Sequence, residues 1–486
     1  MPSNNNSQHD IDNDCVDDQP KPFRRSPTRG LIEVEFVENA PSGVETWDFD
    51  HEEQRKEVFD YWPPALKQIL KRHELVSWKP SFPLLYPWSS ECSKESARES
   101  YFKAGRDKFV TFKFRVDTDV IKIAKELTKL PEIDQAVSVP QIGPPHNAPG
   151  NNHGDKTVCD PTGCPAYQWY LDRCNVPGAW EQRASGKGVV IADIDWGFDL
   201  THPDLRRTEL SKNVIRNSPN VSDGNLLHHG NGVLGQAGAE ISNEMAGIAY
   251  DATLWAIQAG TAVINRPVVE PEFWVAAIRF VRTTPAAGRK VIVLQVQTRD
   301  FSTIEMVPTI RKEIEDAINE QIVVCVPAGN GNRSGDADLD DQGLRIPRTH
   351  SIVVGATNYD PDTNPAGVSN RGSRVVVYAP GDPENDLTCG STPIRYRLRF
   401  GGTSGATAKV AGVVALMLEK NDQLTPQEIR AILMSSHKHV VDGGTNIGVL
   451  LDANHAVTEA IRMRRAAGGD FSTMPMNSSE VLLHSV

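Results

Sequence analysis

Apolar positions along the first part of the chain change their spacing several times, and each change predicts an element. Leu31, Val34 and Phe36 fall in a short strand-like run, and from Pro63-Pro64 onward Leu66, Ile69 and Leu70 share one helical face. A second strand follows near Val76 to Trp78. Phe109 to Val116 alternates apolar with polar residues; Val120, Ala124 and Leu127 keep helical spacing until Leu130-Pro131 ends it; Ala136 to Val139 reads as a strand. Two β-α-β units in succession predict a small antiparallel sheet with two helices. From Gln168 the pattern is different. Continuous β-branched runs at Gly188 to Ile194, Ala252 to Ile257, Val291 to Val296, Ile322 to Val326 and Ser351 to Gly355 alternate with helical stretches. Such runs predict an α/β fold, a doubly wound and mostly parallel sheet covered on both faces. The last helices are expected around Thr425 to Met434 and Ala453 to Arg464.

Composition divides the chain further. Residues 1–27 are polar and Pro-containing and read as a disordered arm, 28–140 as the small α+β domain, and 141–165, rich in Pro, Gly and Asn, as a linker. Residues 166–464 form the α/β domain, and 465–486 lose their pattern and read as a flexible tail. With 486 residues and 39% hydrophobic content a sizeable core can be filled. A formal net charge of -12 speaks against nucleic acid or an anionic membrane as a partner, since either needs a basic face. No apolar run near the N-terminus has signal-peptide character and none elsewhere reaches membrane-spanning length, so a cytoplasmic location is expected. Seven cysteines at irregular spacing imply no complete disulfide framework. Cys159, Cys164 and Cys174 cluster but lack a fourth ligand at a recognisable spacing, and read as free thiols.

Chemistry enters with the stretch Phe400 to Leu418. Gly401-Gly402 lets the backbone turn, and small and apolar residues then run at helical spacing, which sets Ser404 at a helix N-terminus where unpaired amides favour a developing negative charge. Taken alone, Ser404 is an N-capping serine on a buried helix. Three other segments share its setting at a strand end or helix start. Strand Gly188 to Ile194 runs into Asp195-Trp196-Gly197, where Asp193 and Asp195 share one facing and periodicity does not choose between them. His229 precedes small residues at the start of the next helical region, and Ile322 to Val326 ends in Ala328-Gly329-Asn330-Gly331, which puts an amide side chain on a tight turn. An acid, a base, an oxyanion donor and a nucleophile are thus present in the order Asp, His, Asn, Ser.

These four segments together resemble the subtilisin-like serine peptidases, the subtilases. Ile191 to Leu205, with Asp195 in the catalytic position, is similar to the family's aspartate motif, His229-Gly230 to the histidine motif, Ala328-Gly329-Asn330 to the oxyanion motif, and Gly402-Thr403-Ser404 with Val410-Ala411-Gly412 to the serine motif. The resemblance implies hydrolysis of peptide or protein substrates through an acyl-enzyme, with Asp195, His229 and Ser404 as a triad and Asn330 with the Ser404 amide as oxyanion hole. It implies no cofactor or metal for the chemistry. Gln295, Val296 and Gln297, aligned with the edge strand that pairs with substrate, and Ala328 and Gly329 are the expected substrate-binding residues. Departures from the family pattern are Trp196 for Ser or Thr, expected to shield Asp195 from water, Gly232 for a second histidine, and Ala408-Lys409 after the serine. The two glutamines are expected to narrow the adjoining pocket or make it polar.

Two further implications concern the rest of the chain. Family propeptides are small ferredoxin-like domains whose last strand stays in the cleft, and 28–140 is similar to one, with Val116 to Pro140 as its second half; an accessory domain is the alternative. As a propeptide it would be cleaved between Gln141 and Cys164. Asp204 matches a calcium-ligand position in some subtilases, with Asn243 and Glu244 as candidate partners, and the loop with Asp336, Asp338, Asp340 and Asp341 reads as solvated charge, a calcium site or an acidic subsite, so structural calcium stays open. Two other functions remain compatible with the residues: a silent peptide-binding protein, suggested by Gln295, Gln297 and Trp196, and a ligase or macrocyclase that passes the same acyl-enzyme to an amine.

Overall fold

A computed structural model describes residues 30–38, 62–82, 102–139, 168–222, 226–242, 245–261, 270–298, 301–331, 347–359, 364–382, 386–392 and 400–467, together with 40, 42, 44, 54–55, 142–143 and 396–397. The expected arm, the Asp336 to Asp341 loop, Asn243, Glu244, and Cys15, Cys92, Cys159 and Cys164 lie outside the described residues.

In the amino-terminal unit, strands β1 (Leu31–Phe36), β2 (Gln54–Arg55), β3 (Ser77–Pro80), β4 (Phe109–Lys113) and β5 (Ile133–Ser138) form one antiparallel sheet in the order β2-β3-β4-β1-β5. Helices α1 (Pro64–Arg72) and α2 (Val120–Leu127) complete it, α1 starting on a proline and α2 capped by Asp119, whose side chain accepts from the Lys122 amide at 3.1 Å. Alternation along β1 buries Ile32, Val34 and Phe36 in the core and turns Glu33 and Glu35 to the opposite face. β4 stops at Lys113, three residues short of the expected Val116, which is exposed.

Seven parallel strands form the second sheet: β7 (Val189–Asp195), β8 (Thr208–Asn213), β9 (Thr253–Gln258), β10 (Arg289–Leu294), β12 (Val323–Pro327), β13 (Ile352–Thr357) and β14 (Val377–Pro380), in the order β14-β13-β12-β10-β7-β9-β8. All six pairings are parallel. One face packs on α6 (Pro271–Thr283) and α7 (Pro308–Asn319) through Val190, Ala192, Ile194, Ile292 and Leu294. The other packs through Ile191, Val291, Val293 and Cys325 on α5 (Leu227–Gly238) and α8 (Gly402–Lys420), with α3 (Trp169–Arg173), α4 (Val176–Glu181), α9 (Pro426–Met434) and α10 (Ala453–Ala467) outside them. From Gly402 to Leu418 every residue of α8 is buried, as a helix apolar on all sides requires. Among the described residues no helix is long and apolar enough to cross a membrane.

The outer face of the small sheet sits on α6 and α7. Glu33 accepts from the Thr309 amide (3.2 Å) and hydroxyl (3.3 Å) in the first turn of α7, where the helix leaves donors unpaired. Arg106 reaches Glu313 at 3.0 Å, Lys79 reaches Glu272 at 3.2 Å, and Gln135 pairs with Arg311. Glu313 also holds Arg279 at 2.7 Å and Arg282. Past this sheet, within the stretch expected as linker, β6 (Ile142–Gly143) pairs antiparallel with β11 (Gln297–Thr298), Gly143 opposite Gln297 and Ile142 opposite Thr298. An edge strand leaves its backbone groups available, and here a second segment of the chain takes them.

Candidate active site

β7 ends in Asp195, and alternation turns its carboxylate toward α5 and α8. His229, in the first turn of α5, brings Nδ1 to 2.9 Å from Asp195 Oδ1 and 2.8 Å from Oδ2. Both side chains are buried. A neutral imidazole in this contact carries its proton on Nδ1 and donates it to the carboxylate, which leaves Nε2 as a proton acceptor. The ring meets Phe400 edge to face, centroids 5.3 Å apart, and Phe400 leads directly into α8. A Cβ on Gly232, one turn after His229, would lie 2.6 Å from the Phe400 ring, so this position has no room for a second histidine.

Ser404 is the third residue of α8. The turn into the helix needs Gly402, whose φ is +65°, and a Cβ there would press on the Asn330 side chain at 3.0 Å. The first-turn amides are shared out: Gly402 donates to Gly381 O at 2.7 Å and Thr403 to Asn330 Oδ1 at 2.9 Å. The Thr403 hydroxyl reaches the same Oδ1 at 2.9 Å. With its oxygen fixed by two donors, Asn330 keeps Nδ2 for an acceptor, and the Ser404 amide lies in the turn that has no intrahelical carbonyl to bond. The loop below is held by Asn370, which donates to Ala328 O at 2.9 Å and accepts from the Gly331 amide at 3.1 Å.

Gln295 and Gln297 are both buried and both reach this centre. Gln295 Nε2 donates to the Ser404 carbonyl at 3.1 Å, and Gln297 Oε1 accepts from the Asn330 amide at 2.9 Å. Val296, between them, and Ala328 are buried as well, with Gly329 next to Asn330. Trp196 corrects an expectation: its ring lies on the α6 and α7 side of the sheet beside Trp274, centroids 5.4 Å apart, not over the Asp195 carboxylate. It acts through its two N–H groups instead. The backbone amide donates to Asp195 Oδ1 at 2.6 Å, and Nε1 donates to the Gln295 carbonyl at 3.0 Å, which ties the end of β7 to the edge next to β11.

Two features had no clear sequence signal. Asp193, on the same face as Asp195, is fully buried with neither oxygen hydrogen-bonded, and burial first, then the charge of Asp195, push it well above the carboxylate range. The structure thus separates the two aspartates: His229 is on Asp195. Lys409, one turn after Gly405, is buried and donates to Asp386 Oδ2 (2.7 Å), Gln236 Oε1 (2.8 Å) and Gly405 O (3.3 Å), with its ammonium 4.4 Å from the Tyr170 ring centroid. Since Gln236 is on α5 and Gly405 follows Ser404, this cation links the helices that carry His229 and Ser404. Its position within an apolar helical run was the only hint.

Asp204 Oδ2 accepts from Tyr396 (2.7 Å) and Ser242 (2.9 Å), with His202 and Cys389 close by. Asn243 and Glu244, the partners expected for calcium at Asp204, lie outside the described residues. Cys174, Cys325 and Cys389 are buried free thiols, and burial pushes Cys174 up to about 12.

Comparison with known proteins identifies a family. A family model described as the subtilase family matches residues 186–449. Subtilisin E of Bacillus subtilis (strain 168) is 29% identical over 268 residues, which cover 55% of this chain and 65% of that protein. An intracellular serine protease of Paenibacillus polymyxa is 29% identical over 254 residues, 51% of this chain and 71% of that protein. Fervidolysin from Fervidobacterium pennivorans, a keratinolytic enzyme related to subtilisin, superposes with a TM-score of 0.53 at 20% identity over 89% of this chain and 61% of its own, a likeness of fold.

Proposed function

Because the chain belongs to the subtilase family, we propose that it is a serine endopeptidase in which Ser404 attacks a peptide carbonyl while His229 takes its proton and Asp195 steadies the imidazole. The observation that carries this reading is the double contact of His229 Nδ1 with Asp195, which leaves Nε2 as the base at the start of a helix packed against the one that carries Ser404 in its first turn. His229 then returns the proton to the leaving amine, and water releases the acyl-enzyme by the same path in reverse. Asn330 Nδ2 and the Ser404 amide receive the oxyanion, a role supported by the two donors that fix Asn330 Oδ1. Substrate lies along Gln295, Val296, Gln297, Ala328 and Gly329.

The amino-terminal unit is proposed to act as an intramolecular propeptide. Its docking on α6 and α7 and the pairing of Ile142–Gly143 with Gln297–Thr298 support this, since an extended chain then already follows the edge a substrate would use. Cleavage is expected between Gln141 and Cys164.

A fluorophosphonate probe is expected to label Ser404, and Ser404→Ala to abolish labelling and peptide cleavage together; cleavage that persists in the variant sinks the assignment. Intact-mass measurement addresses the amino-terminal unit. Wild-type protein is expected to lose it and Ser404→Ala to retain it, and equal full-length masses under active conditions would overturn self-processing. Product analysis with an added amine separates hydrolysis from transfer.

A further inference from the structure

Gln295 is 1% and Gln297 3% exposed, and each uses only half of its amide. Partner chemistry fixes which half. Gln295 faces a carbonyl, that of Ser404, so the atom it presents is Nε2, and its Oε1 is left buried with no hydrogen bond. Gln297 faces an N–H, that of Asn330, so it presents Oε1, and its Nε2 is left buried with no hydrogen bond. Turning either amide over would set donor against donor or acceptor against acceptor, so the orphans cannot be exchanged. A buried polar group without a partner is costly, and such groups in a folded protein call for a reason. Here there are two, one acceptor and one donor, on side chains bonded to the proposed nucleophile and the proposed oxyanion residue.

Position supplies the reason. Gly143 pairs with Gln297 and Ile142 with Thr298 in antiparallel register, so an extended chain on this edge advances one residue at a time from Thr298 toward Gln295, that is, toward Ser404. In this register residues two apart on an extended chain lie opposite Gln297 and Gln295, and the later one reaches Gln295, which holds the Ser404 carbonyl, so its side chain enters next to the two amides. A primary carboxamide offers one oxygen acceptor and one NH2 donor on adjacent atoms, the complement of the two orphans. Neither glutamine carries charge, so an ionised side chain would be buried there without a counter-ion, and an aliphatic one would leave both orphans unpaired.

We propose that Gln295 and Gln297 form a subsite that reads a carboxamide, so that the acyl-side residue of the cleaved bond is Asn or Gln: its NH2 donates to Gln295 Oε1 and its oxygen accepts from Gln297 Nε2. This rests on the peptidase reading above and specifies its substrate class.

The test uses the full chain, a fluorophosphonate probe and peptides that differ only in the acyl-side residue. Asn and Gln peptides are expected to exceed their apolar near-isosteres Leu and Met by at least ~100-fold in kcat/KM, because a site built around hydrogen bonds rejects analogues that cannot make them. Gln297→Leu removes the orphan donor and is expected to lower the ratio of kcat/KM for Asn and Gln peptides over that for Leu and Met peptides at least tenfold; an unchanged ratio overturns the subsite. Labelling together with equal cleavage of Leu, Met, Asn and Gln peptides by the wild-type chain overturns the carboxamide subsite and leaves the peptidase reading standing. Absence of both labelling and cleavage overturns the peptidase reading, and the subsite with it.

Discussion

Asn330 Oδ1 is held by Thr403 twice, from its backbone amide and from its hydroxyl, each at 2.9 Å. The contact decides the orientation of an amide that could otherwise present either end, and it ties the proposed oxyanion donor to the residue immediately before the proposed nucleophile. Asn330→Ala, and equally Asn330→Asp, which cannot donate, should reduce kcat by about a hundred- to a thousand-fold with little change in KM, the range that subtilisin itself provides for such a residue. Steady-state kinetics on one cleavable peptide checks this, and an unchanged kcat would remove Asn330 from the oxyanion hole.

Lys409 and Asp386 make the second prediction. Both side chains are fully buried, 2.7 Å apart, and burial pushes the Asp386 carboxyl up to about 6 even against the pull of Lys409. Removing one partner leaves the other as an uncompensated buried group, so Lys409→Met should cost about 3–5 kcal/mol in unfolding free energy. The double variant Lys409→Met with Asp386→Leu should recover part of that loss. Denaturant midpoints on the Ser404→Ala background, which lacks the proposed nucleophile, give the comparison.

Acid should loosen the docked amino-terminal unit through Glu313. Burial alone would raise this carboxyl, but Arg279, Arg106 and Arg282 outweigh it and hold it at about 2, below its ordinary 4.5. A depressed carboxylate contributes stability that is full above about pH 4.5 and is lost as pH falls through about 2. Thermal unfolding should therefore drop across that window, and Glu313→Gln should flatten the drop while lowering stability at neutral pH.

Glu35 works in the opposite sense. Burial, then the neighbouring Asp134, with Glu315 and Glu33 also contributing against Arg311, raise it to about 7 from 4.5. Its contribution is full below about pH 4.5 and is lost as pH rises through about 7, because the folded protein holds a proton that the unfolded chain releases. Glu35→Gln should make the protein more stable than wild type at pH 8 and leave it little changed at pH 4.5; equal stability at both values would contradict the assignment.

Loss of the Trp196 indole N–H should move the substrate edge. Trp196→Phe keeps an aromatic ring against Trp274 but removes the donor to the Gln295 carbonyl. KM for a peptide that pairs along Gln295 to Thr298 should rise several-fold, with a smaller change in kcat, since the lost contact positions substrate and not the reacting atoms.

Much of the architecture was legible because it is local. Unbroken β-branched runs marked five of the seven parallel strands, and Leu66, Ile69 and Leu70 marked α1. Thr208–Asn213 was not foreseen, since it is a half-exposed edge strand of polar residues, and Val377–Pro380 is only four residues long. Asp195, His229, Asn330 and Ser404 could be named from motifs, whereas periodicity gave Asp193 and Asp195 the same facing; the structure puts His229 on Asp195. Lys409 and Asp386, Trp196 and Gln295, and Gly143 and Gln297 meet across irregular segments, where spacing carries no information about partners.

The short pairing of Ile142–Gly143 with Gln297–Thr298 also sets a kinetic threshold. A segment tethered to its own site is present at an effective concentration on the order of millimolar, so a free peptide at micromolar concentration cannot compete for the edge while the tether is whole. Two hydrogen-bonded residues are weak as a contact, yet covalent connection makes them hard to displace. Cutting the chain beyond Gly143 leaves this segment joined to the docked amino-terminal unit, so under the proposed propeptide reading the edge opens to bulk solution only when that unit also leaves α6 and α7.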